Sequence, residues 1–209
     1  SCSSEQTLLQ GSVERFIKND YGFDQRQKLI GSGLGCSKEH WSHFAELGWL
    51  GLPFAEEDGG FGGSAIDTMI VMEAFGKGLV VEPYVSTVLM AGSALAHAGT
   101  TAQKESHLAA IIGGEAQASL AYIEPQARFN LNHVVTRAVL DGSDWLINGF
   151  KGVVLGAPSA DLLIVSARTD GDEQAEEGIT LFIVPANAEG VSRRNYPTID
   201  GFRASEVTL

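Results

Sequence analysis

The chain is 209 residues long, carries a formal net charge of −12, and is 44% hydrophobic. This apolar content supports a sizeable core and excludes a disordered protein, while no apolar run approaches the roughly 20 residues that a membrane helix needs. The acidic balance argues against a nucleic-acid or anionic-membrane partner, because such binding depends on neutralising phosphates with Lys and Arg.

The N-terminal sequence SCSSE lacks the basic and then apolar pattern of a signal peptide, so a cytoplasmic protein is expected. The two cysteines, Cys2 and Cys36, share no metal-binding or redox spacing and are too few for a disulfide framework. We expect both to be free thiols.

Helical periodicity dominates the first half of the chain. Leu9, Val13, Phe16 and Ile17 follow a possible Ser3-x-x-Gln6 capping box at helical spacing. Start and stop signals predict five more helices. The first covers residues 24–29, and the second begins after Ser37, places Trp41, Phe44, Ala45 and Leu47 inward and stops at Gly48. The third is opened by Ser64 and Asp67 and ended by Gly76, the fourth covers residues 85–97, and the fifth is opened by Thr100 and closed by Gly113. Residues 1–113 are therefore predicted to form an all-α domain.

Short runs rich in Val and Ile follow, at residues 133–140, 145–147, 162–167 and 179–184. Asp141-Gly142 and Asn148-Gly149 are typical of hairpin turns, and residues 169–178 predict an exposed acidic loop. Because no helix of crossover length separates these runs, the strands are predicted to be antiparallel. Residues 114–209 are thus expected to form an antiparallel β-barrel or sandwich, with a β-like run at residues 206–209 that predicts further strands beyond it.

Three candidate sites each have a simpler interpretation. The glycine-rich EEDGGFGGS (residues 56–64) leads into a helix as a phosphate loop would, but its three carboxylates would repel phosphate, which favours a turn and an N-cap. His40 and His43 could share a metal, yet no further ligand type completes the set, which favours packing. Glu124 could be a general base, but a strand-end carboxylate bound by backbone amides is favoured. Composition and spacing alone do not name a reaction.

Four ordered segments resemble the acyl-CoA dehydrogenase family. They are FAELGWLGL running into EEDGGFGGS (residues 44–64), ASLAYIEP (118–125), LINGFK (146–151), and ADLLIVSART with GITLFIVP and GVSRR (160–194). The resemblance covers nearly the whole chain. It implies an α+β multidomain protein in which the helical domain and the β-domain precede a C-terminal helical bundle that lies outside these 209 residues.

The resemblance also implies FAD-dependent α,β-desaturation of an acyl-CoA, with a glutamate base in the C-terminal bundle and electrons passed to an acceptor such as electron-transferring flavoprotein. We expect no catalytic residue within this chain, no metal, and a homo- or hetero-oligomer. Three arginines could bind the phosphates of coenzyme A: Arg128, Arg193 and Arg194. Surface arginines without a ligand are, however, the commoner case.

The positions that contact the flavin in this family correspond to Leu120, Tyr122, Ile123, Phe129, Val153 and Leu155. Ile123 replaces a threonine, Phe129 a serine, Val153 an aromatic residue and Leu155 a hydroxyl-bearing residue. Each lost hydrogen bond is worth on the order of 1 kcal/mol.

Two hypotheses follow from these replacements. In the first, the chain belongs to a working subunit that binds FAD at these positions. In the second, it belongs to a non-catalytic, flavin-poor partner subunit, because the pattern is similar to the small subunit of pimeloyl-CoA dehydrogenase and related subunits of heteromeric enzymes.

Overall fold

The computed structural model describes residues 2–209. They form two compact units, one of residues 2–84 and 95–116 and the other of residues 85–94 and 117–209. The domain boundary expected after residue 113 stays a prediction. Among the described residues, no helix has the length and apolar character needed to cross a membrane.

The helices begin where the capping signals predict. Ser3, Ser64 and Thr100 each form a capping box with the residue three positions on, and Ser37 caps the third helix. The helical elements are α1 (Ser4–Asp20), α2 (Phe23–Gly31), α3 (Lys38–Glu46), α4 (Ala65–Gly78), a π-helical segment (Val85–Gly92), α5 (Ser93–Ala98), α6 (Thr101–Gln103), a π-helical turn (Lys104–Leu108) and α7 (Ala109–Ile112).

Two of the helix ends that differ from prediction change how residues pack. Helix α4 runs past Gly76 to Gly78, where the absent side chain lets α1 approach, since a Cβ at Gly78 would lie 2.8 Å from Ile17. Helix α3 ends at Glu46, so Leu47 follows the helix and is 39% exposed rather than inward-facing, while Trp41 and Phe44 are buried as predicted.

Aromatic rings form the core of the first unit. Phe44 contacts Phe16, Trp49 and Phe75 with ring centroids 5.1–5.2 Å apart. Such pairs add about 0.5–1.5 kcal/mol each beyond the area they bury.

The second unit contains eight strands in two open sheets. The first sheet has the order β1-β5-β2-β3 with β6 also paired to β5, and the second has the order β4-β8-β7. The strands are β1 (Ala118–Ala121), β2 (Arg137–Asp141), β3 (Asp144–Asn148), β4 (Phe150–Leu155), β5 (Leu162–Arg168), β6 (Ile179–Pro185), β7 (Ser192–Pro197) and β8 (Arg203–Thr208).

The prediction of a purely antiparallel barrel or sandwich was wrong. Strand β1 pairs with β5 in parallel, from Ala118 opposite Leu162 to Ala121 opposite Val165, and β2 meets β5 in parallel at one pair. A crossover helix is not needed, because strands β2, β3 and β4 form the connection, and β5 then lies between β1 and β2. The other pairings are antiparallel, and within residues 2–209 neither sheet closes into a barrel.

The two predicted hairpin turns have different outcomes. Gly142, with φ of 65°, lies in the turn between β2 and β3, as predicted. Gly149 instead carries the chain from the first sheet to the second, and its N–H and C=O both bond to Leu209. A Cβ at Gly149 would lie 2.3 Å from Thr136 Oγ1, so this position requires glycine for close packing rather than for a turn.

Candidate functional site

The predicted flavin-contact segments meet at one backbone pair in the second unit. Ile123 and Val153 lie opposite each other in an isolated antiparallel bridge, and Gly152 N–H donates to the carbonyl of Ile123 at 2.9 Å. Strand β4 is bulged between Lys151 and Val154, so Gly152 and Val153 leave the ladder with β8. Bulges of this kind often redirect side chains next to functional sites.

Five of the six predicted contact residues lie on these segments. Leu120, Tyr122 and Ile123 are half-buried, and Val153 and Leu155, two residues apart on β4, are each 37% exposed. Phe129 is 99% exposed, so the structure does not bring it into packing contact with the others.

The Ile123–Val153 pair fits the flat apolar face of a flavin ring better than its polar edge. Both side chains are aliphatic and partly accessible, and they offer no hydroxyl or amide, so hydrogen bonds to a ring would have to come from backbone groups. Exposed Phe129 does not supply the hydroxyl expected near a pyrophosphate. A flavin ring at this pair would therefore be held by contact, without side-chain hydrogen bonds from Ile123, Val153 or Phe129.

A buried ion pair lies immediately beside this pair of residues. Lys151 Nζ lies 2.6 Å from Glu124 Oε1, 2.7 Å from the Ser166 carbonyl and 3.1 Å from Ser166 Oγ. Both charged side chains are almost completely inaccessible. The three acceptors around Nζ match the three donors of an ammonium group, so Lys151 is protonated.

Glu124 is the carboxylate of this network. As predicted, it accepts backbone hydrogen bonds, from Val135 at 2.8 Å and Thr136 at 3.2 Å, and it also accepts from Gln126 Nε2 at 2.7 Å. Burial alone would raise the pKa of Glu124, but the hydrogen bonds from Lys151 and these other donors outweigh it and lower the pKa to about 2. Burial lowers the pKa of Lys151, and Glu124 opposes that shift. A carboxylate so fully bound is not available as a general base.

Sequence reasoning did not assign a role to Lys151 or to Arg168. Arg168 is completely buried, and its guanidinium donates to six backbone carbonyls, those of Asn132, Val134, Asp170, Glu173, Ala175 and Glu177. It thus organises the base of the predicted acidic loop. The available signal was a cation at the end of the apolar run 162–167, just as Lys151 was a cation beside the apolar Val153 and Val154.

The other predicted candidates have structural roles. Residues 56–58 form a 3-10 turn and Ser64 an N-cap, as favoured. His40 bonds to buried Glu82 at 3.1 Å and His43 lies near Glu46, and among residues 2–209 no group of His, Cys, Asp and Glu is arranged to hold a metal. Both cysteines are free thiols, as expected.

The three candidate arginines differ in availability. Arg193 donates to the carbonyls of Ala157 and Ala160, and Arg194 forms an ion pair with Glu206. Arg128 is exposed and has a backbone φ of 51°.

Comparison with known proteins gives matches to both units. The family described as "Acyl-CoA dehydrogenase, N-terminal domain" matches residues 3–115, and "Acyl-CoA dehydrogenase, middle domain" matches residues 119–209. "Probable acyl-CoA dehydrogenase YngJ" of Bacillus subtilis (strain 168) is 34% identical over 192 residues, and the mitochondrial isovaleryl-CoA dehydrogenase of Pongo abelii is 31% identical over 208 residues. These matches cover 91% and 98% of this chain but 50% and 49% of the relatives, so the chain spans about half the length of the curated relatives it matches.

Solved structures share the fold along the chain. The "Tcur3481-Tcur3483 steroid ACAD" has a TM-score of 0.86 at 28% identity and covers 100% of this chain and 55% of that one. The "FAD complex of PigA" has a TM-score of 0.86 at 23% identity and covers 100% of this chain and 56% of that one. The chain belongs to the acyl-CoA dehydrogenase family, of which it carries the N-terminal and middle domains.

Proposed function

We propose that this chain is part of a subunit of a flavin-dependent acyl-CoA dehydrogenase that catalyses α,β-desaturation of an acyl-CoA thioester. The observation that carries the proposal is the direct pairing of Ile123 with Val153, because two segments distant in sequence meet at positions expected to contact the flavin. Family membership supports the reaction class. The names of the similar proteins point to different substrates, isovaleryl-CoA for one and a steroid for another. The proposal therefore covers the desaturation reaction and no particular acyl chain.

Residues of this chain would bind and orient rather than transfer protons. Ile123, Val153 and Leu155 would contact the ring and exclude water from one side of it, with Leu120 and Tyr122 flanking them. When bound, FAD would accept the hydride from the β-carbon of the acyl group. The base that removes the α-proton is expected outside these 209 residues, and an electron-transferring flavoprotein or similar acceptor would reoxidise the cofactor.

Arg128 is the arginine best suited to the phosphates of coenzyme A. Unlike Arg193 and Arg194, it makes no hydrogen bond or ion pair with residues 2–209. A charge-assisted bond to a phosphate would therefore displace no existing partner.

Flavin content tests the proposal. The natural full-length protein, purified alone, should be yellow, and after removal of its flavin it should rebind added FAD with a matching return of the absorbance spectrum. A colourless preparation that takes up no FAD would contradict the proposal.

A second candidate is a flavin-poor structural partner within a heteromeric dehydrogenase, similar to the small subunit of pimeloyl-CoA dehydrogenase. It is favoured by the absence of side-chain hydrogen-bonding groups at Ile123, Phe129, Val153 and Leu155. In that case, solubility or activity should require co-expression with a second dehydrogenase-like chain, and an active homo-oligomer would exclude it.

A further inference from the structure

The bulge in β4 lacks the support that the rest of the strand has. Phe150, Lys151, Val154 and Leu155 pair with β8, whereas Gly152 and Val153 do not. A residue outside the ladder depends on its immediate neighbours for its position.

Two hydrogen bonds to the backbone of Gly152 hold the bulge directly. Gly152 N–H donates to the carbonyl of Ile123 at 2.9 Å, and the hydroxyl of Tyr196 donates to the carbonyl of Gly152 at 3.3 Å. Pro125 packs beside it, since a Cβ at Gly152 would lie 3.3 Å from Pro125 Cγ. Because these direct contacts are few, the position of the bulge also depends on the residues that flank the Ile123–Val153 bridge.

Those flanking residues are Glu124, directly after Ile123, and Lys151, two positions before Val153. Their side chains meet at 2.6 Å in the interior, so the ion pair joins the same two segments that meet at the Ile123–Val153 bridge. Lys151 is also tied to Ser166 on β5, which connects the bulge of the second sheet to the first sheet.

We propose that Glu124 and Lys151 are a positioning pair that holds the bulged Gly152 and Val153 against Ile123 and thereby fixes the surface that receives FAD. This inference rests on the proposed function. Neither residue contacts the cofactor in this proposal, because both side chains are buried behind the surface. Their effect is transmitted through the backbone of the neighbours they hold.

The test compares three variants of the natural full-length protein. Lys151→Met leaves a buried carboxylate without its cation, and the double variant Glu124→Gln/Lys151→Met removes both charges. Leu163→Ala is the control for general destabilisation, because it opens a cavity in the core of the same unit and alters no residue that bonds to Glu124 or Lys151. For each, the FAD dissociation constant of the apoprotein, the thermal midpoint and amide hydrogen exchange are measured.

Exchange of the Gly152 amide reports on the bulge without any cofactor. The Ala186 amide, which donates to Asp161 at 2.9 Å, reports on the same unit away from the pair. We expect Gly152 to exchange faster relative to Ala186 in both pair variants. Leu163→Ala, which loosens the cluster that contains Ala186, should not raise the rate of Gly152 relative to Ala186. The FAD dissociation constant of the double variant should rise about tenfold or more, because loosened supporting groups misplace the contact surface.

A double variant with unchanged FAD affinity and an unchanged Gly152 to Ala186 exchange ratio would overturn the inference. So would a Leu163→Ala variant that accelerated Gly152 as much as the pair variants do, since the effect would then be general destabilisation. If the unaltered protein binds no FAD, the proposed function fails, and the exchange ratio alone decides whether Glu124 and Lys151 position the bulge.

Discussion

Glu124 and Lys151 are charged although both are removed from water. Desolvating two ions costs several kcal/mol each, and their attraction offsets this only when the remaining hydrogen-bonding capacity is filled. Both oxygens of Glu124 and all three donors of Lys151 have partners, which satisfies that condition. The pair is therefore sensitive to loss of either member.

Removing one member should cost more than removing both. Lys151→Met is expected to lower the free energy of unfolding by about 3–5 kcal/mol, because a buried carboxylate loses its counter-ion. Glu124→Gln/Lys151→Met should recover most of that loss. Chemical denaturation at neutral pH measures both, and a double variant less stable than the single variant would contradict this expectation.

The same carboxylate should contribute to acid sensitivity. Its pKa in the folded protein, about 2, lies below its ordinary value of 4.5, so the unfolded chain takes up the proton first. The stabilisation is then complete above about pH 4.5 and is lost as the pH falls towards about 2.

Glu124→Gln removes this contribution. The stability difference between the unaltered protein and the variant should be largest near neutral pH and shrink between pH 4.5 and 2 in urea titrations. Glu176→Gln, in the exposed loop, is the control that should show no such pattern. A difference for Glu124→Gln that stays constant with pH would argue against an ionised buried carboxylate.

At the scale of elements, the arrangement of the two sheets depends on Gly149, which connects β3 of the first sheet to β4 of the second. Gly149 bonds to Leu209 through both backbone groups and lies against the side chain of Thr136. A bulkier residue at this point would separate strands that the sequence places far apart. The asparagine and glycine at 148–149 are typical of a hairpin, but here the glycine serves close packing.

Gly149→Ala should therefore be destabilising. Its Cβ would approach Thr136 Oγ1 to 2.3 Å, and we expect a loss of about 2 kcal/mol from the resulting strain. Gly11→Ala, in α1 with nothing within 4 Å of the added atom, should instead stabilise by about 0.5–1 kcal/mol. Thermal unfolding of both variants checks this, and equal effects would refute the packing explanation.

For the whole molecule, cofactor binding should appear as added stability. A ligand that binds only the folded state stabilises it by about 2.7 kcal/mol when its concentration is 100 times the dissociation constant. We expect the thermal midpoint of the apoprotein of the natural full-length protein to rise with FAD concentration. A midpoint that does not change at saturating FAD would favour the flavin-poor partner subunit.

The helices were predictable because their signals are local. Ser3, Ser64 and Thr100 each determine a helix start through a contact three residues away, and the first β-hairpin follows from Asp141-Gly142 in the same way. The ordered motifs also identified the family and the segments around Ile123 and Val153. These predictions were possible because each depends on residues that are close together in the sequence.

Only the tertiary structure decided how distant segments combine. The parallel pairing of β1 with β5, the sheet change at Gly149, and the Glu124–Lys151 pair join residues 27 to 60 positions apart. Local propensity cannot select among such pairings, because their free energy comes from burial and desolvation that exist only after the strands meet. The sequence by itself therefore determined the helices, the β character and the family, and the tertiary contacts decided the sheet topology and which charged groups meet beside the Ile123–Val153 bridge.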